Sequence, residues 1–275
     1  MDYTELSISL VDKSTADIFE AELAELGFES FAVEGAVLKA YIPEHHYAQE
    51  KVTQVLDAYS ELVSSHAVTQ IKHTNWNAVW ESSYEPVWVD DAIFIHAPFH
   101  TPEPEAELNL VLDPNMSFGT GHHPTTHMML RAMRNIELSQ KHIADFGCGS
   151  GILAIYASHK GAHGVAIEID PNAAEAAREN LRLNDVNSFE VLTGDLSSLV
   201  GDTFDLILAN INRNVIEESL PTFRQKLASN GWLLCAGFLD ADAEDLKRQS
   251  AQAGLVIRHE LSRDGWTMLA TQLSL

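Results

Sequence analysis

Apolar and polar residues alternate from Tyr3 to Val11 with the two-residue period of a half-buried strand. Thr15 to Leu26 then carries helical spacing through Ile18, Leu23 and Leu26, and Gly27 stops it. Phe31–Val33 and Val37–Ile42 flank Glu34-Gly35, the signal of a hairpin turn. Tyr47 to Leu62 puts Val52, Val55, Leu56 and Tyr59 on one helical face, and Ala67 to Ile71 supplies a last strand. The order βαββαβ predicts a small ferredoxin-like sandwich over residues 1–73.

A different rhythm begins near residue 108. Apolar runs of strand length at Leu108–Leu112, Ile143–Phe146, Gly164–Ile169, Phe189–Leu192, Asp205–Asn210, Trp232–Gly237, Val256–His259 and Trp266–Thr271 are mostly separated by helical patterns. Those helices are expected over Thr125–Asn135, Gly151–His159, Pro171–Leu183, Asn214–Leu227 and Asp242–Ala253. Alternation of this kind predicts an α/β domain over 108–275, with an open, doubly wound, mostly parallel sheet of Rossmann-like type. Arg263-Asp264-Gly265 reads as the turn of a final antiparallel hairpin. Between the two domains, residues 74–107 form a Trp-rich linker with connecting strands, one of them at Ala92–Ala97. Trp76, Trp80 and Tyr84 recur every four residues, so on a helix they make one aromatic stripe, read first as packing.

The chemistry concentrates in Asp145-Phe146-Gly147-Cys148-Gly149-Ser150-Gly151, a strand end followed by a tight glycine turn and a helix. The glycines permit a sharp turn and close approach to a ligand, and they leave backbone N–H groups facing outward. Glu168, at the end of the next strand, is placed to accept hydrogen bonds from both hydroxyls of a ribose. A dinucleotide loop would read G-x-G-x-x-G, but Ile152 stands in the sixth position. NAD is therefore disfavoured, and Asp145 would repel a pyrophosphate. S-adenosylmethionine fits better, since its sulfonium and ammonium are both cationic and it carries no phosphate.

Two further clusters flank this loop. The segment from Asp113 to Thr126 contains Phe118-Gly119-Thr120-Gly121 and ends on hydroxyls that cap a helix start. His122, His123 and His127 within it raise the question of zinc, but no Glu completes a metalloprotease motif and no third ligand is identifiable. No metal is expected. The second cluster is Ala209-Asn210-Ile211-Asn212, at the carboxyl edge of a strand, where open α/β sheets bind ligands. It lacks the prolines and aromatic of the Asn-Pro-Pro-Tyr motif that grips a flat nitrogen, so a flexible sp³ amine is the better acceptor.

Taken together, Phe118-Gly119-Thr120-Gly121-x-His123-Pro124-Thr125-Thr126, the Asp145–Gly151 loop and Ala209-Asn210-Ile211 resemble the bacterial ribosomal protein L11 methyltransferase family, whose layout the βαββαβ leader and Trp-rich connector also match. The resemblance spans almost the whole chain. It implies an S-adenosylmethionine-dependent protein methyltransferase acting on lysine side chains and the N-terminal amine of ribosomal protein L11. The first domain would dock that protein, and the linker would let the catalytic domain reorient. It implies cofactor contacts at Thr126, Gly147, Glu168 and Asn210. Glu168 stands where an Asp is usual, which keeps Asp170 as the alternative ribose ligand, and Asn212 stands where an apolar residue is usual. No general base is assigned. Asn210 and carbonyls of the Phe118–Gly121 loop are candidates to orient the amine, and His123 is a candidate proton acceptor. The competing readings are an RNA or small-molecule methyltransferase and a non-catalytic ribosome-associated binding module.

Composition narrows the partners. Seventeen Lys plus Arg against 40 Asp plus Glu give a net charge of -23, the wrong sign for a nucleic-acid footprint and the right one for a basic protein substrate. The leader sandwich also shows no exposed aromatics amid basic residues, as RNA recognition by such a sheet requires. No uncharged apolar run of about 18 residues and no signal-peptide pattern is evident. Cys148 and Cys235 are too few for a disulfide framework. A soluble, cytoplasmic monomer is expected.

Overall fold

A computed structural model describes residues 2–72, 84–114, 121–199 and 203–273. The chain divides into two compact units, 1–83 and 84–275. In the first, the elements run β1 (Tyr3–Leu10), α1 (Ala16–Glu25), β2 (Ser30–Glu34), β3 (Val37–Pro43), α2 (Gln49–Ala58) and β4 (Val63–Ile71). The sheet order is β2-β3-β1-β4, all antiparallel, which is the ferredoxin-like arrangement that the sequence predicts. Alternation works as read: Leu6, Ile8 and Leu10 of β1 are buried with Phe19 and Leu23 of α1 and Val52 and Leu56 of α2, giving this unit its own core. One boundary differs. The second helix ends at Ala58 and a single turn of 3₁₀-helix at Ser60–Leu62 leads directly into β4, so the strand begins four residues before the expected Ala67.

The second unit opens with a separate three-stranded sheet of β5 (Val87–Val89), β6 (Ile93–His96) and β7 (Leu108–Val111). The sequence predicts β7 as part of the main α/β sheet and places residues 84–107 in a connector. Here β7 instead pairs in parallel with β6, Ile93 opposite Leu108 and Ile95 opposite Leu110, and all three strands lie within the second unit. A buried apolar run specifies a strand but not its neighbour. Trp76 and Trp80 of the expected aromatic stripe lie outside the described residues.

The main elements follow as α3 (Pro124–Met133), β8 (His142–Phe146), α4 (Ile152–His159), β9 (His163–Glu168), α5 (Pro171–Leu183), β10 (Phe189–Thr193), β11 (Phe204–Asn210), α6 (Arg213–Lys226), β12 (Leu227–Leu239), α7 (Ala243–Gln252), β13 (Leu255–Arg263) and β14 (Trp266–Leu273). The seven-stranded sheet has the order β10-β9-β8-β11-β12-β14-β13. Only β14 runs antiparallel to its neighbours, inserted between β12 and β13. Helices α3, α4 and α5 pack on one face and α6 and α7 on the other, each over its own apolar cluster. Strand order reverses between β8 and β11, which opens a crevice at their carboxyl ends. Among the described residues, no helix is long and apolar enough to cross a membrane.

Candidate functional site

Three strand ends and one bulge converge on that crevice. Asp145 is the penultimate residue of β8, the 147–151 turn follows the strand, Glu168 closes β9, Asn210 closes β11, and Gly237 sits in a bulge of β12. They line a cavity of about 610 Å³ together with Thr126 of α3 and Trp266 of β14. All four predicted cofactor residues, Thr126, Gly147, Glu168 and Asn210, are brought to this one cavity.

The glycine turn is built for a close approach. Gly147, Gly149 and Gly151 have φ of +71°, +53° and +77°, the left-handed region that side chains disfavour. A Cβ on Gly147 would collide with Ile211 Cγ2, and one on Gly151 would lie 2.8 Å from Leu181 Cδ1. The N–H groups of the turn, however, do not face outward as the sequence suggests. Gly147 and Cys148 both donate to the Ile167 carbonyl, at 2.8 and 3.0 Å, and Gly151 donates to the Cys148 carbonyl at 2.8 Å. Gly149 donates to Glu168 Oε2 at 3.0 Å. The turn is therefore a poor phosphate cradle, because the N–H groups of Gly147, Cys148, Gly149 and Gly151 are engaged within the protein.

Glu168 anchors the turn to β9. Its second oxygen accepts from the N–H groups of Ile169 and Asp170 at 2.8 and 3.1 Å. The Asp170 side chain instead caps α5, accepting from Asn172 N–H at 2.8 Å, with Pro171 in the first helical position. It does not line the cavity.

Asp145 is only 1% exposed, and its Oδ2 accepts the Ala154 N–H at 3.2 Å, tying the strand end to α4. Burial pushes its carboxyl up from 3.8 to about 7, the Ala154 bond opposes that rise, and the neighbouring Glu168 charge adds to it. Burial favours the neutral acid here, and a cation brought beside it would favour the carboxylate. Burial also pushes the Cys148 thiol well up, so it is an inert neutral thiol.

At the end of β11, Asn210 Nδ2 reaches the buried Thr126 Oγ1 at 3.4 Å. His123 caps α3, with Nδ1 at 2.7 Å from Thr125 Oγ1 and accepting from Thr125 N–H at 3.3 Å. Its ring meets Trp266 edge-on, with centroids 4.7 Å apart. The three histidines of the zinc question diverge. His122 Nε2 pairs with the Glu85 carbonyl at 2.9 Å, His123 faces Thr125, and His127 lines a different cavity. Asn212 caps α6 through Val215 N–H at 3.2 Å, a helix-start role that explains a polar residue there. The Phe118–Thr120 part of the loop lies outside the described residues.

Trp266 and Gly237 line the cavity without being singled out in the sequence. Gly237 carried a usable signal, a glycine inside an apolar strand. Its φ is +100°, and a Cβ there would collide with the Ile211 carbonyl. Trp266 carried none, since it arrives from a hairpin more than a hundred residues beyond the glycine turn.

The family model for ribosomal protein L11 methyltransferase matches residues 3–274. The chain belongs to that family. A ribosomal protein L11 methyltransferase from Porphyromonas gingivalis is 38% identical over 259 residues, which cover 92% of this chain and 89% of the relative. One from Bacteroides thetaiotaomicron is 33% identical over 255 residues, 91% of each chain. The crystal structure of a ribosomal protein L11 methylase from Lactobacillus delbrueckii subsp. bulgaricus matches with a TM-score of 0.64 and 26% identity, over 68% of this chain and 98% of that one. An L11 methyltransferase family member with this sheet order and this crevice is a methyltransferase of the class I fold, and the RNA or small-molecule methyltransferase and non-catalytic readings are not favoured.

Proposed function

We propose that this chain methylates amines of ribosomal protein L11, lysine side chains and the N-terminal amine, using S-adenosylmethionine. The observation that carries the cofactor reading is the electrostatics of the crevice. Four of the turn's N–H donors, those of Gly147, Cys148, Gly149 and Gly151, are engaged internally, while Asp145 and Glu168 bring two carboxyl groups to the same cavity. That chemistry suits a cation bearing a ribose and disfavours a pyrophosphate. Thr126, Gly147, Glu168 and Asn210 are the proposed contacts, with Glu168 for the ribose hydroxyls and Asp145 for the ammonium.

When bound, S-adenosylmethionine supplies a methyl group made electrophilic by its sulfonium. The protein's part is to align an amine lone pair with that methyl group and to keep water out. Asn210, held toward the cavity by Thr126, offers an amide oxygen to the incoming amine. An ammonium of ordinary pKa ~10.4 must lose a proton before it can attack, and a partly desolvated, cation-bearing crevice favours the neutral amine. His123 is poorly suited as the base, because its Nδ1 already caps α3. The 1–83 unit is the proposed docking module for the substrate, and the acidic balance of the chain supports capture of a basic protein. Free L11 incubated with the enzyme and labelled S-adenosylmethionine, then mapped by mass spectrometry, tests the reading; absence of label from L11 amines would overturn it.

A further inference from the structure

The buried side of α5 carries Ala174, Ala177, Asn180 and Leu181, and Asn184 follows as the C-cap of the helix. Two amides stand where an apolar stripe would suffice, and a buried amide is costly unless both of its ends are bonded. Asn180 is 0% exposed. Its Oδ1 accepts the Asp113 N–H at 2.9 Å, and its Nδ2 donates to the Ser150 carbonyl at 3.0 Å. Asn184, one turn further on, accepts the Val111 N–H at 2.9 Å and donates to the Val111 and Asn180 carbonyls at 2.6 and 2.7 Å.

The two asparagines differ in what they reach. Asn184 ties α5 to β7 alone, whereas Asn180 joins the residue pair just past β7 to the glycine turn. Ser150 lines the methyl-transfer crevice, while Asn180 and Asp113 do not. Asn180 therefore stands behind the turn, out of a ligand's reach. Its two bonds make opposite demands, an oxygen for the Asp113 N–H and an N–H for the Ser150 carbonyl, at a single reach. Aspartate supplies only the first and leucine supplies neither. The helix is also the bed on which the turn lies, since a Cβ built on Gly151 would sit 2.8 Å from Leu181 Cδ1 and 3.4 Å from Ala177 Cβ. From the crevice side the turn is held by Glu168 through the Gly149 N–H. That carboxylate is the proposed ribose ligand, so the front hold is shared with the cofactor and the rear hold is not.

We infer that Asn180 is a positioning residue for the cofactor: it fixes the glycine turn from behind, so that the turn keeps its binding shape while Glu168 is engaged by the ligand. The inference rests on the S-adenosylmethionine reading of the crevice given above. Without the Asn180 bond to Ser150 the turn would leave that shape in most molecules, and the apparent affinity would fall by the fraction that remains competent.

The test uses the full-length protein and S-adenosylhomocysteine as the calorimetric probe. Asn180→Asp keeps the acceptor for Asp113 and removes the donor to Ser150, and it should weaken binding by about tenfold, the scale of one lost buried hydrogen bond. The KM for S-adenosylmethionine, read with L11 as acceptor, should rise by a similar factor while kcat at saturating cofactor holds. A mere folding defect acts the other way, lowering kcat and the binding stoichiometry through a smaller active fraction and leaving KM alone. Asn184→Ala removes buried bonds that do not touch the turn, so it should lower Tm and leave affinity and KM unchanged. In the unaltered protein, S-adenosylhomocysteine should slow hydrogen exchange at the Asp113 N–H, which lies off the crevice, and Asn180→Asp should abolish that slowing. If Asn180→Asp does not fold, exchange at Asp113 in the unaltered protein decides, and no slowing there overturns the inference. Equal binding by Asn180→Asp and the unaltered protein overturns it while leaving the cofactor reading intact, as does an equal loss in Asn180→Asp and Asn184→Ala. Failure of the unaltered protein to bind the probe would instead overturn the cofactor reading beneath it.

Discussion

Gly149 N–H donates to Glu168 Oε2 at 3.0 Å, so the residue proposed to hold a ribose also holds the glycine turn in shape. Its other oxygen is shared between the Ile169 and Asp170 N–H groups. Removing this carboxylate takes away a ligand contact and an anchor of the turn at once. Glu168→Ala should weaken S-adenosylhomocysteine binding by about 1.5 to 3 kcal/mol, the range for a hydrogen bond to a charged group. Asp170→Ala should leave that affinity intact and cost about 1 kcal/mol of stability through the lost cap of α5. Calorimetry paired with thermal unfolding separates the two. If Asp170→Ala is the change that weakens binding, the ribose belongs to the later acid.

Gly147 offers a test of close approach rather than of backbone strain. Gly147→Val adds a side chain toward Ile211 at φ +71°, and cofactor binding should disappear. Gly35, at φ +67° in the β2–β3 turn, has nothing within 4 Å of a built Cβ. Gly35→Val therefore carries the strain without the collision, about 1 to 2 kcal/mol of stability, and should keep full cofactor affinity. Equal loss of binding in both variants would reduce the Gly147 effect to unfolding.

The contrast between those glycines marks what the sequence can disclose. That Gly147, Gly149 and Gly151 form a left-handed turn after a strand was legible, because their spacing between an apolar run and a helical run admits few other structures. The direction of the Gly147 and Gly149 N–H groups was not, since Ile167 and Glu168 accept them from a strand that local spacing does not bring near. The same limit hid β7's pairing with β6 and the arrival of Trp266 at the crevice. Local periodicity specifies an element and its buried face. Which strand lies alongside is decided by packing, and short segments such as Val87–Val89 are too brief to show a period at all.

Asp145 should make both stability and cofactor affinity depend on pH. Its carboxyl titrates near 7 in the folded protein, against 3.8 for an unperturbed aspartate. A pKa raised by folding contributes stability that is full below the unfolded value and is lost as pH rises through the folded one. The ligand-free protein should therefore lose stability between about pH 4 and 7 through this group, and Asp145→Asn should flatten that part of the profile of Tm against pH. Binding of a cationic ligand favours the carboxylate, so affinity for S-adenosylmethionine should rise across the same interval and binding near pH 6 should release protons. Calorimetry in buffers of different ionisation enthalpy measures that release. An unchanged Tm profile in Asp145→Asn would show that the carboxyl ionises as an ordinary one.

The boundary between the two compact units gives the last prediction. Unit 1–83 has its own core of Leu6, Ile8, Phe19, Leu23 and Leu38, and unit 84–275 contains every residue proposed to touch the cofactor. A chain beginning at Tyr84 should therefore bind S-adenosylhomocysteine with nearly the affinity of the full protein. Methylation of intact L11 should fall sharply, because docking raises the effective concentration of the acceptor amines and fixes their orientation. Short lysine peptides, which have no surface to dock, should be methylated at similar low rates by both forms. Added salt should weaken L11 capture by the full chain if its negative charge steers the encounter. A truncated enzyme that modifies the same positions of L11 at the same rate would refute the docking role. One that loses peptide methylation as well would show instead that the 1–83 unit supports the catalytic fold.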